Sequence, residues 1–203
     1  MGRFREALVI HREMITVAAL LLILGSLDGF YYSNIISHIV EQMMNQLKDL
    51  VENMGKTPTV WTFFWTIFLN NLMAAFFMIL FGLFFGIFPA YGLFVNGAVL
   101  GFVLRQKQMQ GGDPLMLFVQ GILPHGILEL PAIIFAAAIG MKLGVLVFHS
   151  IFRIWRSSQR AALRHEWRIE LRVLPSSVLL IALFLIIAAF IESTVTPLLM
   201  LGV

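Results

Sequence analysis

The chain has 203 residues, of which 60% are hydrophobic and only 12% are charged. Soluble domains are about 45–50% apolar and about 25% charged, so this composition excludes an ordinary soluble domain. Intrinsic disorder is excluded as well, because it requires low hydrophobicity and a high net charge, whereas the formal net charge here is +3. So small a charge also predicts no nucleic-acid partner. The sequence contains no cysteine, which excludes disulfides, thiolate metal ligands and a cysteine nucleophile.

Five apolar stretches are long enough to cross a bilayer, for which a helix needs roughly 20 mostly apolar residues. We predict an all-α, polytopic membrane helical bundle in which residues 1–203 form a single integral membrane domain. The predicted spans lie near residues 14–30, 60–87, 90–104, 115–148 and 176–200. The fourth stretch is too long for one straight span, and Pro124 and Pro131 predict that it is broken or bent. The first shows no small-residue cleavage site, which favours a retained anchor over a signal peptide.

Two segments outside these spans are predicted to form amphipathic helices. Apolar residues recur at every third or fourth position in 31–56, which indicates a helix on the outer membrane surface. Arginine recurs at every third or fourth position in 153–172, which indicates an inner basic helix. Such a helix is typical of an anchor on anionic lipid headgroups, and the alternative is a docking helix for a cytoplasmic partner.

The distribution of lysine and arginine predicts a cytoplasmic N-terminus and a C-terminus outside the cell. Cytoplasmic segments of membrane proteins carry an excess of these residues. In this orientation the inner segments hold Arg3, Arg5, Arg12, Arg153, Arg156, Arg160, Arg164, Arg168 and Arg172. The outer segments hold Lys48, Lys56, Arg105 and Lys107. We therefore expect a multi-pass protein of the cell membrane.

Polar side chains inside the predicted spans are the candidate functional residues, because a charged group at the centre of a bilayer helix costs about 2.5–3.5 kcal/mol. They are Asn70, Asn71, Asn96, His125, Glu129 and Glu192. His125 and Glu129 are four residues apart and therefore share one face of a helix. With a rise of about 1.5 Å per residue, Asn70 and Glu192 both fall in the outer half of the layer. The fourth span brings His125 and Glu129 to a comparable depth, which predicts one intramembrane polar cluster.

Three roles fit such a cluster. The favoured role is an interhelical hydrogen-bond network that fixes the bundle. The second is a proton or ion relay in a transporter, since carboxylates and imidazole carry out such relays in membranes. The third is a metal site with His125, Glu129 and Glu192 as ligands, although a single HxxxE is a weaker signal than the two-histidine HExxH. No serine elbow or paired-aspartate arrangement is visible, so we predict no enzymatic activity and no cofactor.

Glycines four residues apart form a second pattern, because this GxxxG spacing lets helix backbones approach closely. On the second, third and fourth predicted spans these glycines are Gly82 and Gly86, Gly97 and Gly101, and Gly140 and Gly144. They predict close helix packing, and packing within one chain is favoured over the alternative of a homodimer seam.

The order of these polar and small residues along the chain forms a pattern that can be compared with known families. Along the chain it includes Asn70, Asn71, Gly82, Gly86, Asn96, Gly97, Gly101, the string Pro124-His125-Gly126 with Glu129, Pro131 and Ala132, then Gly140, Gly144, Ile191, Glu192, Thr196 and Pro197. Over roughly residues 60–200 this pattern resembles the stage II sporulation protein M (SpoIIM) family, and the string that begins at Pro124 is its most specific part.

The resemblance implies a multipass membrane protein that works beside two peptidoglycan-degrading partners, SpoIID and SpoIIP, during sporulation. It implies a non-enzymatic scaffold that anchors and recruits such envelope partners to the bilayer. Similar proteins occur in bacteria and archaea that form no spores, so sporulation does not follow from the resemblance. The alternative function is a small transporter or channel, or the membrane subunit of an exporter, that uses the polar cluster.

Overall fold

A computed structural model of the chain describes residues 2–32 and 59–200, together with the single residue 42. These residues form five long helices: α1 (Gly2–Tyr31), α2 (Val60–Gly82), α3 (Ile87–Met109), α4 (Leu123–Arg153) and α5 (Arg160–Met200). A helical turn, Pro114–Met116, and a π-helical segment, Leu117–Ile122, lead into α4, and a short 3₁₀-helix, Ser157–Gln159, leads into α5. The described residues contain no strand, which confirms the all-α class. The outer amphipathic helix predicted in 31–56 lies almost wholly outside the described residues.

Within the described part of the chain, five helical stretches are long and apolar enough to cross a membrane. They are Arg5–Tyr31, Val60–Gly82, Ile87–Met109, Pro114–Arg153 and Arg160–Thr196. Large apolar side chains such as Leu20 and Ile23 are exposed on the outer faces of these helices, where lipid would cover them. The prediction of five spans is confirmed, and the chain is a multi-pass membrane protein.

The helix α4 lies at the centre of the bundle. In its most apolar stretch 67% of the residues are buried, compared with at most 28% in the other four spans. It contacts α1, α2, α3 and α5, and its consecutive residues Ala136, Ala137 and Ala138 are completely buried. Short side chains at these positions let four neighbouring helices approach one central helix.

The fourth predicted span is irregular, as its prolines indicate, but the irregularity lies at its start. The backbone is π-helical over Leu117–Ile122 and becomes α-helical at Leu123. Pro124 occupies the first turn of α4, directly after the π-helical segment. Pro131 lies inside α4 without ending it.

The turn between α2 and α3 lies earlier in the chain than the predicted spans place it, at residues 83–86. Helix α2 ends at Gly82, five residues before the predicted end of the span at residue 87, and α3 begins at Ile87. Gly86 adopts φ 72°, a conformation that a residue without Cβ reaches at no steric cost, and so it lies in the turn instead of on α2. Pro89 is accommodated in the first turn of α3.

The predicted basic helix in 153–172 is divided: Arg153 ends α4 and Arg156 lies in the connection, while the part from Arg160 onward forms one continuous helix with the fifth predicted span. Helix α5 runs for 41 residues, which corresponds to about 61 Å of rise. Because the hydrocarbon layer is only about 30 Å thick, one part of α5 must extend beyond it. The arginine-rich first turns of α5 are the part whose composition suits that position.

All six predicted packing glycines lie at contacts between helices of the same chain. Methyl groups added to Gly97 and Gly101 of α3 would collide with the α1 backbone, with Ser26 N 3.0 Å from the Cβ added to Gly97. Gly82 and Gly140 face each other between α2 and α4, and Gly144 lies against the turn at Gly86. These contacts explain the glycine motifs without a homodimer.

The α1 side of the contact with α3 also consists of glycines. A Cβ added to Gly25 would fall on the backbone of Phe94, and one added to Gly29 would fall on the backbone of Ala98. Gly25 and Gly29 are four residues apart, the same spacing as the three predicted pairs, but sequence analysis did not single them out. Their spacing was the signal that could have identified α1 as a helix that packs closely against a neighbour.

Candidate intramembrane site

Three ionisable side chains meet between α4 and α5. His125 and Glu129 lie one turn apart on α4, and Glu192 lies near the C-terminal end of α5. Each offers one nitrogen or carboxylate oxygen, and these three atoms lie within 4.8 Å of one another. All three residues are partly buried. The structure thus brings together the residues whose depth along the helices predicts that they converge; we call them the polar cluster.

Neutral polar groups surround the polar cluster. Asn71, on α2, approaches the Glu129 carboxylate. The hydroxyl Oγ1 of Thr196, one turn beyond Glu192 on α5, lies 3.4 Å from His125 Nδ1. The polar cluster and the polar groups around it therefore come from three helices, α2, α4 and α5.

The backbone before the polar cluster is irregular. The π-helical segment Leu117–Ile122 contacts both α4 and α5, and such segments occur frequently at functional sites. Within it, the side-chain oxygen Oε1 of Gln120 is buried and has no hydrogen-bond partner among the described residues. A buried amide oxygen normally accepts a hydrogen bond, so this one would accept from a water or another donor.

The charge balance of the polar cluster defines its chemistry. Glu129 and Glu192 form no ion pair with a lysine or arginine in the described ranges. Two carboxylates this close in an apolar layer cannot both ionise without a compensating positive charge. That charge can be a proton, which His125 can also carry, or a cation held by one nitrogen and two oxygens.

The other predicted site residues lie elsewhere. Asn70 is exposed on α2, about 100° around the helix from Asn71. Asn96 is exposed on α3, and its Nδ2 donates to the carbonyl of Gly92 in the same helix at 3.0 Å. Of the three predicted asparagines, only Asn71 approaches an ionisable residue of the cluster.

A family model with the description stage II sporulation protein M (SpoIIM) matches residues 16–197. The chain belongs to the SpoIIM family. The resemblance predicted from the sequence is confirmed, and the matched residues of this SpoIIM chain include the whole polar cluster. No curated protein and no solved structure matches the chain.

A second polar contact of this SpoIIM chain is fully buried. His11 on α1 and Glu170 on α5 are 0% and 1% exposed, and His11 Nε2 lies 2.6 Å from Glu170 Oε1. His11 Nδ1 lies 2.7 Å from the carbonyl oxygen of Ala7, and the edge of the imidazole meets Phe135 of α4. The pair therefore connects α1 to α5 against the central helix.

Sequence analysis missed this pair. His11 precedes the first predicted span, and Glu170 lies within the predicted basic helix, so both belong to segments that the sequence places outside the spans. The available signal was the acidic Glu170 between the arginines Arg168 and Arg172. Arg172 pairs instead with Glu6 of α1 at the surface, so two contacts join the same two helices.

Proposed function

We propose that this SpoIIM-family chain is a non-enzymatic scaffold of the cell membrane that anchors and recruits envelope-remodelling partners, peptidoglycan hydrolases among them. One observation carries the proposal. In residues 59–200 the long helices are joined by short connections, near residues 83–86, 110–122 and 154–159, and these connections hold no extramembrane catalytic domain. A protein of this form acts on the envelope through partners. The arginine-rich start of α5 supports a cytoplasmic N-terminus and an external C-terminus.

In this proposal the polar cluster fixes the shape of the scaffold. Asn71, Glu129, His125 and Glu192 come from three helices, and each interhelical hydrogen bond in a membrane contributes about 0.6–2 kcal/mol. The same cluster is part of the matched family region. The partner surface then depends on the arrangement of α2, α4 and α5.

The test uses the full chain, cross-linked in native membranes and purified by an affinity tag. We expect the purified material to degrade peptidoglycan, because hydrolases accompany the scaffold. Glu129→Gln and His125→Asn should each lower the stability of the protein by about 0.6–2 kcal/mol and reduce the co-purified hydrolase activity. Asn96→Ala is the matched control, since this exposed amide bonds only within its own helix, and it should leave both quantities unchanged.

The scaffold proposal also predicts the result of a transport assay. Proteoliposomes that contain the purified chain should carry no ion or proton flux above protein-free vesicles. A flux that Glu129→Gln or His125→Asn abolishes while the variant remains folded would show that the scaffold assignment is wrong.

One observation favours a second function, a small transporter or channel or the membrane subunit of an exporter. The polar cluster holds two carboxylates and one imidazole within 4.8 Å, without a lysine or arginine ion-paired to them in the described residues. Such a site binds a cation or a proton, and membrane-buried sites of this kind mark ion pathways. The local charge balance is then part of a transport cycle.

Elemental analysis and flux measurements test the second function. If the cluster holds a metal, the purified wild-type chain should carry a divalent ion such as zinc, and Glu192→Gln should weaken its binding about tenfold or more. Asn70→Ala, which changes an exposed amide on α2, should leave binding unchanged. A wild-type chain with neither bound metal nor flux would rule out the second function.

A further inference from the structure

A basic groove lies along the first turns of α5, at the opposite end of this helix from Glu192. Its volume is about 700 Å³, and Arg164, Arg168 and Arg172 line it. Since these arginines are four residues apart, they follow one face of the helix. Arg172 pairs with Glu6. In the part of the chain that the structure describes, Arg164 and Arg168 have no carboxylate within ion-pair distance and are exposed.

An apolar groove of about 740 Å³ continues from the basic groove along α5 toward the middle of the bundle. It lies mainly between α2 and α5, with Leu143 of α4 also in its wall, and every side chain that lines it is aliphatic, aromatic or methionine. On α5 these side chains include Leu174, Val178 and Ile181.

The two grooves share a wall. Trp167 and Leu171 line both of them. The indole N–H of Trp167 donates to Ser150 Oγ at 2.9 Å, which holds the ring at the boundary between the basic and the apolar part. Tryptophan is enriched at this level of membrane proteins, where a polar headgroup region meets hydrocarbon.

We propose that the joined grooves bind one anionic phospholipid, with its phosphate on Arg164 and Arg168 and an acyl chain between α2 and α5. A guanidinium group recognises phosphate by paired, charge-assisted hydrogen bonds. Ten residues separate Arg168 from Val178, or about 15 Å of helix. This length equals one leaflet of a hydrocarbon layer about 30 Å thick. The bilayer supplies a ligand with this combination of charge and length, and the site is independent of the proposed function.

Tryptophan quenching by brominated lipids tests the site in the full chain. Phenylalanine replaces Trp61, Trp65 and Trp155, which are exposed, so that Trp167 is the only emitter. The variant is reconstituted in phosphatidylcholine vesicles, and phosphatidylglycerol with brominated acyl chains is titrated in. We expect the Trp167 emission to be quenched at a lower mole fraction of brominated phosphatidylglycerol than of brominated phosphatidylcholine.

Two variants separate a specific site from general charge attraction. Arg164→Gln combined with Arg168→Gln should weaken the preference for the anionic lipid by roughly 20- to 30-fold, about fivefold for each arginine. The matched control, Arg12→Gln combined with Arg156→Gln, removes the same charge at exposed positions outside the groove and should retain the preference. Val178→Phe should narrow the apolar groove and reduce quenching without a change in charge.

The proposal is overturned by any of three results. Equal quenching by the anionic and the zwitterionic lipid would show that the grooves do not select a headgroup. An equal loss in the control double variant would show that the net charge of the bundle, and not Arg164 and Arg168, attracts the lipid. If brominated phosphatidylglycerol leaves Trp167 unquenched, the grooves serve another occupant, such as an acidic partner protein, and the lipid assignment is wrong.

Discussion

Replacing His11 by alanine should lower the free energy of unfolding by about 3–5 kcal/mol, because Glu170 would stay buried without its partner. Glu170 is 1% exposed, and its contact with His11 Nε2 is 2.6 Å long. The contact of His11 Nδ1 with the carbonyl oxygen of Ala7, within α1, would be lost as well. Reversible denaturation in detergent micelles, followed by circular dichroism, measures the loss.

The surface pair on the same two helices provides the control. Glu6→Gln removes the carboxylate that pairs with Arg172, and an exposed pair of this kind contributes about 0–1 kcal/mol. Replacing both His11 and Glu170 by leucine should recover most of the stability, since a buried polar pair can be exchanged for apolar side chains of similar volume at little cost. A loss below about 1 kcal/mol for His11→Ala would contradict the assigned role of the pair.

Gly97→Ala should destabilise the contact between α1 and α3 by about 1–3 kcal/mol, because one added methyl group would overpack a closed interface. At this position the Cβ would lie against the backbone of α1, with Ser26 N at 3.0 Å. The α1 backbone can move only as a helix, so the two helices must separate. The same denaturation measurement detects the change.

Gly92→Ala is the matched control on the same helix. A Cβ at Gly92 meets only the flexible end of Met78, at 3.4 Å. Alanine at that position should therefore be neutral or stabilise the helix by about 0.5–1 kcal/mol, since glycine is the weaker helix former. Equal effects of the two substitutions would show that helix propensity, and not the close approach of α1, decides the outcome.

The membrane spans and the convergence of the polar cluster follow from local properties of the sequence. Apolar length predicts a membrane helix, since the bilayer requires a certain number of apolar residues whatever the neighbouring helices are. The four-residue spacing of His125 and Glu129, together with the depth of Glu192, places three ionisable groups at one level. At one depth in an apolar layer, these three groups are the polar partners available to one another. The structure brings one nitrogen or oxygen atom of each within 4.8 Å.

The three asparagines show what depth along a helix does not predict. Depth along a helix says nothing about rotation around it, and rotation depends on which helices are neighbours. Asn71 points toward Glu129, whereas the adjacent Asn70 is exposed. The side-chain amide of Asn96 donates to the carbonyl of Gly92 within α3. A polar residue in a span therefore predicts a partner but does not identify it.

From the sequence alone, the class of this protein, its five spans and its family could be established, because each depends on residues close together in the chain or on a pattern along it. The burial of His11 and Glu170, the pairing of α1 with α3 and the continuity of the two grooves depend on helix neighbours, and only the tertiary structure decides these. A residue beside a membrane span is ordinarily solvated, and it becomes buried only when another helix covers it. For Glu170 the covering helix is α1, whose His11 lies far away in sequence and 2.6 Å away in space.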